Sequence, residues 1–171
     1  AGCGSAESGS AGEPDQRVFG FYYNWYGNTE VNGKEVHWGH GVIGNNSYDG
    51  PADYIPGVDN IAANFYPELK NYSSTDPATV ARHVEMMAKA RIGVAVVTWW
   101  GDNDFGSPAL PVLFDQAAKH GMKVCFHIEP YHDRNPENLR ANIAKLLGRY
   151  GSHPAFYRMA GRPCFFIYDS Y

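Results

Sequence analysis

The sequence predicts an α/β protein: a (β/α)8 TIM barrel, here truncated to about its first four strands and three helices. Three observations carry this expectation. Short apolar, β-branched runs alternate with amphipathic helical stripes, the pattern of a parallel sheet covered by helices. The helical stripes are opened by a capping residue and a proline and closed by glycine or a basic residue. Each apolar run ends abruptly in polar and aromatic residues, which is how barrel strands deliver side chains to an active-site mouth.

The elements follow in order. Residues 1–16, rich in Gly, Ser and Ala, read as a flexible tether, and 17–171 as the N-terminal half of the barrel domain. Arg17–Tyr23 is the first strand, leading into Asn24-Trp25-Tyr26-Gly27. A long irregular region from about Asn28 to Thr75 is rich in Gly, Asn, Pro and Tyr, and a loop of that length is usually functional. Asp76-Pro77 caps a helix carrying Val80, Val84, Met87 and Ala88, which ends near Arg91. Val94–Trp100 is a buried strand. Ser107-Pro108 is expected to cap a helix with Leu110, Leu113, Phe114 and Ala117 inward, stopped by Gly121. Lys123–Tyr131 begins as an apolar strand and finishes in His127, Glu129 and Tyr131, with Pro130 unable to continue a sheet. Asn135-Pro136 caps a third helix, halted at Gly151, and Pro163–Asp169 is a fourth strand.

A doubly wound sheet shares this alternation. Its nucleotide-binding version lacks support, because no Gly-rich phosphate loop follows the first strand. The barrel is favoured because the last strand has no helix after it, and a complete barrel takes about 250 residues.

Composition narrows the function classes. A net charge of −4 with no Lys/Arg run gives no nucleic-acid surface. Aromatic residues make up 15% of the chain, with 12 Tyr and 4 Trp, many of them in loops, where such rings stack on sugar faces. Three cysteines are too few for a disulfide framework, and Cys125 and Cys164 read as buried thiols. Ala1-Gly2-Cys3 has two readings: an arbitrary beginning, or the end of a bacterial lipobox with Cys3 as lipid-bearing membrane tether. The tether-like residues that follow favour the second.

The candidate site residues sit at four strand ends. They are Tyr22, Tyr23, Trp25 and Tyr26; Thr98, Trp99, Trp100 and Asp102; His127, Glu129 and Tyr131; and Tyr168, Asp169 and Tyr171. Tyr22, Trp99 and His127, taken singly, read as core packing. Glu129 does not, because a carboxylate closing an apolar strand is costly to bury without a partner. His37-Trp38-Gly39-His40 in the long loop is too sparse for a metal centre and reads as sugar contact or loop packing. No cofactor or metal is expected. Asn45-Asn46-Ser47 and Asn71-Tyr72-Ser73 match the N-glycosylation pattern, but such triplets arise often by chance and carry no meaning in a bacterium.

Seven motifs then occur in one order: Phe21–Gly27, His37–His40, Phe65–Leu69, Tyr72–Pro77, His127–Tyr131, His153–Arg158 and Tyr168–Tyr171. Together they resemble glycoside hydrolase family 99, which holds animal Golgi endo-α-mannosidases and bacterial endo-α-1,2-mannanases. The resemblance implies a (β/α)8 barrel that cleaves internal α-1,2-mannosidic bonds with retention. The sugar's own 2-hydroxyl attacks, helped by one glutamate as base, while a second serves as acid/base. Those glutamates belong to a later Asn-Glu-Trp-His-Glu type motif that is absent from this chain, so no catalytic residue is assigned. Tyr23, Trp25, His37, Trp38, Trp100, Glu129, Tyr131, Asp169 and Tyr171 are implied to bind substrate, an α-mannan or mannose-containing oligosaccharide. Trp100 falls where bacterial members tend to carry Trp and animal members Tyr, which favours a bacterial cell-envelope mannanase over a Golgi enzyme. A non-catalytic mannan-binding protein and an unrelated barrel hydrolase using Glu129 stand as alternatives.

Overall fold

A computed structural model describes residues 12–38, 61, 65 and 67–170. Cys3, His40, Asn45 and Tyr171 lie outside the described residues. Strand β1 (Asp15–Tyr22) leads to a one-turn helix α1 (Thr29–Asn32); α2 (Pro77–Lys89), β2 (Ile92–Trp99), α3 (Leu110–Lys119), β3 (Lys123–Ile128) and α4 (Pro136–Tyr150) follow. The chain then makes a small hairpin, β4 (Arg158–Met159) and β5 (Arg162–Pro163), before β6 (Phe165–Ile167). Strands β1-β2-β3-β6 form one four-stranded sheet in that order, every pair parallel.

The caps explain the helices. The Asp76 carboxylate accepts from the N–H groups of Ala78 and Thr79, with Pro77 in the first turn, where a missing N–H costs nothing. Asn135 and Asn138 cap one another reciprocally at the start of α4. Gly151 ends that helix through close approach, since a Cβ there would lie 2.4 Å from the Leu147 carbonyl oxygen.

Three expectations are corrected. β1 begins at Asp15, because Asp15 N–H donates to the Arg91 carbonyl at 3.1 Å and pairs with Ile92 across a bulge. Ser107 does not cap α3: residues Ser107–Ala109 form a 3₁₀ turn, and the Ser107 hydroxyl donates instead to the Gly101 carbonyl at 2.9 Å. The run from Pro163 to Asp169 is not one strand. Ala160 (φ 48°) and Gly161 (φ 78°) make a two-residue turn that folds Pro163 back onto Arg158. Asn71, whose triplet matches the glycosylation pattern by chance, is buried, its amide donating to Glu35 at 2.9 Å.

Alternation along the strands divides the sheet into two faces. Val97, Trp99, Phe126 and Ile128 pack beneath the helices against Val80, Val84, Leu113, Phe114 and Leu146. Phe114 stacks on Tyr150, ring centroids 4.7 Å apart. The other face, the barrel interior, carries Val94, Val96 and Cys125 with Phe19, Phe166 and Tyr157. Burial beside Cys164 pushes the Cys125 thiol up to about 12, so it is an inert packing group.

Candidate functional site

Tyr23, Trp100 and Glu129 each directly follow the last residue of β1, β2 and β3, and Asp169 lies two residues past β6. In a parallel sheet these positions share one rim.

Glu129 is the buried carboxylate of that rim, 4% exposed. Its N–H continues the ladder by donating to the Trp99 carbonyl at 3.1 Å. The Thr98 hydroxyl donates to Oε1 of Glu129 at 2.6 Å, the short distance of a bond to a charged acceptor. His127, the register partner of Thr98, places Nδ1 3.0 Å from the same oxygen. That contact is close but off the hydrogen-bond axis, so the buried Nδ1 has no aligned partner among the described residues. Phe21 and Tyr168 meet the imidazole edge-on at 5.0 and 5.6 Å.

An aromatic platform lies beside it at the ends of β1 and β2. Trp25 stacks flat on His37, centroids 4.9 Å apart and planes 5° apart. Tyr23 and Trp100 flank Trp25 at 4.8 and 6.3 Å. The indole N–H groups of Trp25 and Trp100 are both buried with no acceptor among the described residues. Buried donors without partners are rare, and two side by side suit a ligand rich in oxygen.

The loop after β2 is held from several directions. Asn24 donates to the Gly106 carbonyl at 2.9 Å, and a Cβ at Gly106 would lie 2.3 Å from the Asn24 carbonyl oxygen. Asp104 accepts from the Gly106 N–H at 3.2 Å; burial raises its carboxyl above the ordinary range, against those backbone bonds and the nearby His37. Asp102 reaches outward to Lys145 at 2.5 Å and Arg149 at 2.8 Å, and these contacts hold its carboxyl low.

The remaining sequence candidates take other places. Trp38 is buried behind the platform, its N–H on the Tyr72 carbonyl at 2.9 Å and its ring 4.3 Å from Tyr26. Tyr131 turns to the helical layer, where its hydroxyl donates to Asn138 at 2.8 Å and its ring meets Trp99. Asp169 is exposed with a left-handed backbone (φ 53°), and its carbonyl accepts from Arg134. Tyr22 also lies under the helices, with its hydroxyl 3.0 Å from His83 Nδ1. Asp104, Asn24, Phe21 and the buried Glu35, which accepts from Thr29 and Asn71, were not singled out from sequence. Asp104 and Glu35 sit in loops without an apolar lead-in, so no periodicity marks them. A separate hollow bounded by Glu13, Glu85, Lys89 and His120 opens at the opposite end of the strands. Among the described residues no three His, Cys, Asp or Glu gather as metal ligands.

Parallel strands, helices across one face and a polar, aromatic rim at the strand ends place the molecule among the (β/α)8 barrels. Its family follows from the sequence: residues 14–171 match glycosyl hydrolase family 99, and the chain belongs to that family. The glycoprotein endo-alpha-1,2-mannosidase of Rattus norvegicus is 40% identical over 169 residues, covering 90% of this chain and 37% of that protein. That of Xenopus laevis is 40% identical over 175 residues, covering 92% and 38%. The solved GH99 endo-alpha-mannosidase of Bacteroides thetaiotaomicron is 49% identical with a TM-score of 0.80, covering 92% of this chain and 46% of that one. The chain thus spans about two fifths of the length of the curated relatives it matches.

Proposed function

We propose that the protein carrying this chain is a retaining, endo-acting glycoside hydrolase that cleaves internal α-1,2-mannosidic linkages in mannan or a mannose-rich glycan. The observation that carries the reading is the pairing of a buried carboxylate, Glu129, with the platform of Trp25, His37 and Trp100 on one rim. The rings offer apolar faces to a sugar, and the carboxylate and the two indole N–H groups, without an acceptor among the described residues, suit its hydroxyls. Relatives named as endo-alpha-mannosidases support the linkage.

In this reading the chain's residues bind and orient one side of the substrate, and the acid/base glutamates come from a part of the barrel outside these 171 residues. Trp100 favours mannose in the pocket on the non-reducing side. Cys3 is the lipid-bearing tether of a bacterial envelope protein. The test is digestion of an α-1,2-linked manno-oligosaccharide by the full-length protein, followed by NMR of the first anomer released. Internal cleavage giving the α-anomer is expected. Release of the β-anomer rules out retention, and tight binding without turnover leaves a mannan-binding protein.

A further inference from the structure

Thr98 is a buried hydroxyl, 1% exposed, on the barrel-interior face of β2. A buried hydroxyl must find an acceptor, and this one finds Oε1 of Glu129 at 2.6 Å. The alternation that puts Val94 and Val96 inside puts Thr98 inside with them. The register that sets Thr98 opposite His127 then brings it under Glu129, two residues further along the chain and just past the end of β3. Thr is branched at Cβ and stiff at χ1, so the direction of the hydroxyl is set by the strand itself. Glutamate is the opposite, a long side chain that loses rotamer freedom when it is immobilised.

We propose that Thr98 is a positioning residue: its hydroxyl clamps one oxygen of Glu129 against β2 and so presents the other, Oε2, to a sugar hydroxyl at the rim. This rests on the carbohydrate reading of the site given above. No described donor reaches Oε2, whereas Oε1 is engaged by Thr98 and crowded by His127 Nδ1 at 3.0 Å. His127 is itself walled by Phe21 and Tyr168, so the carboxylate is closed off on that side. Ordering Glu129 before the ligand arrives removes that entropy cost from binding. The clamp therefore acts on affinity, through Glu129, and on no bond that is broken.

The test uses the full-length protein and a manno-oligosaccharide with an internal α-1,2 linkage. Thr98→Val keeps the shape and removes the donor. Its KM is expected to rise about tenfold or more, with kcat within about threefold, the size expected for a hydrogen bond to a charged group. Thr98→Ser keeps the hydroxyl and should stay within about twofold of wild type. In a double-mutant cycle, adding Thr98→Val to Glu129→Ala should cost nothing further, because the carboxylate that the hydroxyl positions is then gone. Wild-type KM in T98V, a T98S as weak as T98V, or additive losses in the cycle would each overturn the proposal. If T98V does not fold, T98A and T98S carry the same comparison. Should the wild-type protein fail to bind the oligosaccharide at all, the proposed function falls. Crystal structures of T98V and T98S then decide this inference separately: a Glu129 carboxylate that keeps its wild-type place in T98V overturns it, and one displaced in T98V alone sustains it.

Discussion

The indole of Trp25 and the imidazole of His37 lie parallel, with centroids 4.9 Å apart and planes 5° apart. His37 holds a left-handed backbone, φ 58°, to reach that position, a conformation uncommon outside glycine. The long loop is thereby tied to the end of β1 at the platform itself.

Replacing His37 by Ala should remove the stack and leave Trp25 free to tilt. Aromatic pairs are worth about 0.5–1.5 kcal/mol, so affinity for a manno-oligosaccharide should fall about two- to tenfold. Titration calorimetry on the full-length protein measures it. Unchanged affinity would show that the stack does not shape the binding surface.

Asp102 anchors the loop that follows Trp100 to α4 through Lys145 and Arg149. Its side chain is 24% exposed, so Asp102→Asn should cost only about 0.5–1 kcal/mol, and less in high salt. Urea melts at low and high ionic strength report this. The carboxyl is held low chiefly by Lys145, so its contribution is present above the ordinary carboxylate range near 3.8 and is lost as pH falls through the depressed native value. A salt-independent loss would point to backbone rearrangement instead.

His83 gives a second pH dependence. Burial lowers its affinity for a proton below the ordinary value of 6.5, and its Nδ1 faces the hydroxyl of Tyr22 at 3.0 Å. Tyr72 packs edge-on at 4.6 Å, its own hydroxyl pushed up to about 12 by burial, so both neighbouring phenols stay neutral. The unfolded chain therefore binds the proton more readily than the folded one. Stability should be full above pH 6.5 and decline on acidification until the native histidine also titrates. In His83→Gln, chemical denaturation between about pH 5 and 7.5 should lose this slope while the Tyr22 hydroxyl keeps an acceptor. A slope that survives the substitution assigns it to another group.

The barrel-interior face leaves Phe21 and Tyr168 each 55% exposed. Such rings side by side on an open sheet invite association. Residues 1–171 expressed alone should dimerise, aggregate or melt without cooperativity. Light scattering and calorimetry check this, and a sharp melt from a monomer would contradict it.

The sequence determined the order of the elements and the rim. Asp76-Pro77 and Asn135-Pro136 mark true helix starts, and the apolar runs stop where Tyr23, Trp100 and Glu129 begin. Those signals are local, since a cap reads its own next turn and a strand carries its own period. The structure decided what touches what. It turned Tyr131 toward Asn138, set Trp38 behind the platform, and made a hairpin from Ala160-Gly161 that no apolar pattern marks. It also brought Thr98 to Glu129 across 31 residues. Contacts of that kind depend on the pairing register of β2 and β3, and a register belongs to two strands packed in one sheet, which neither segment encodes on its own.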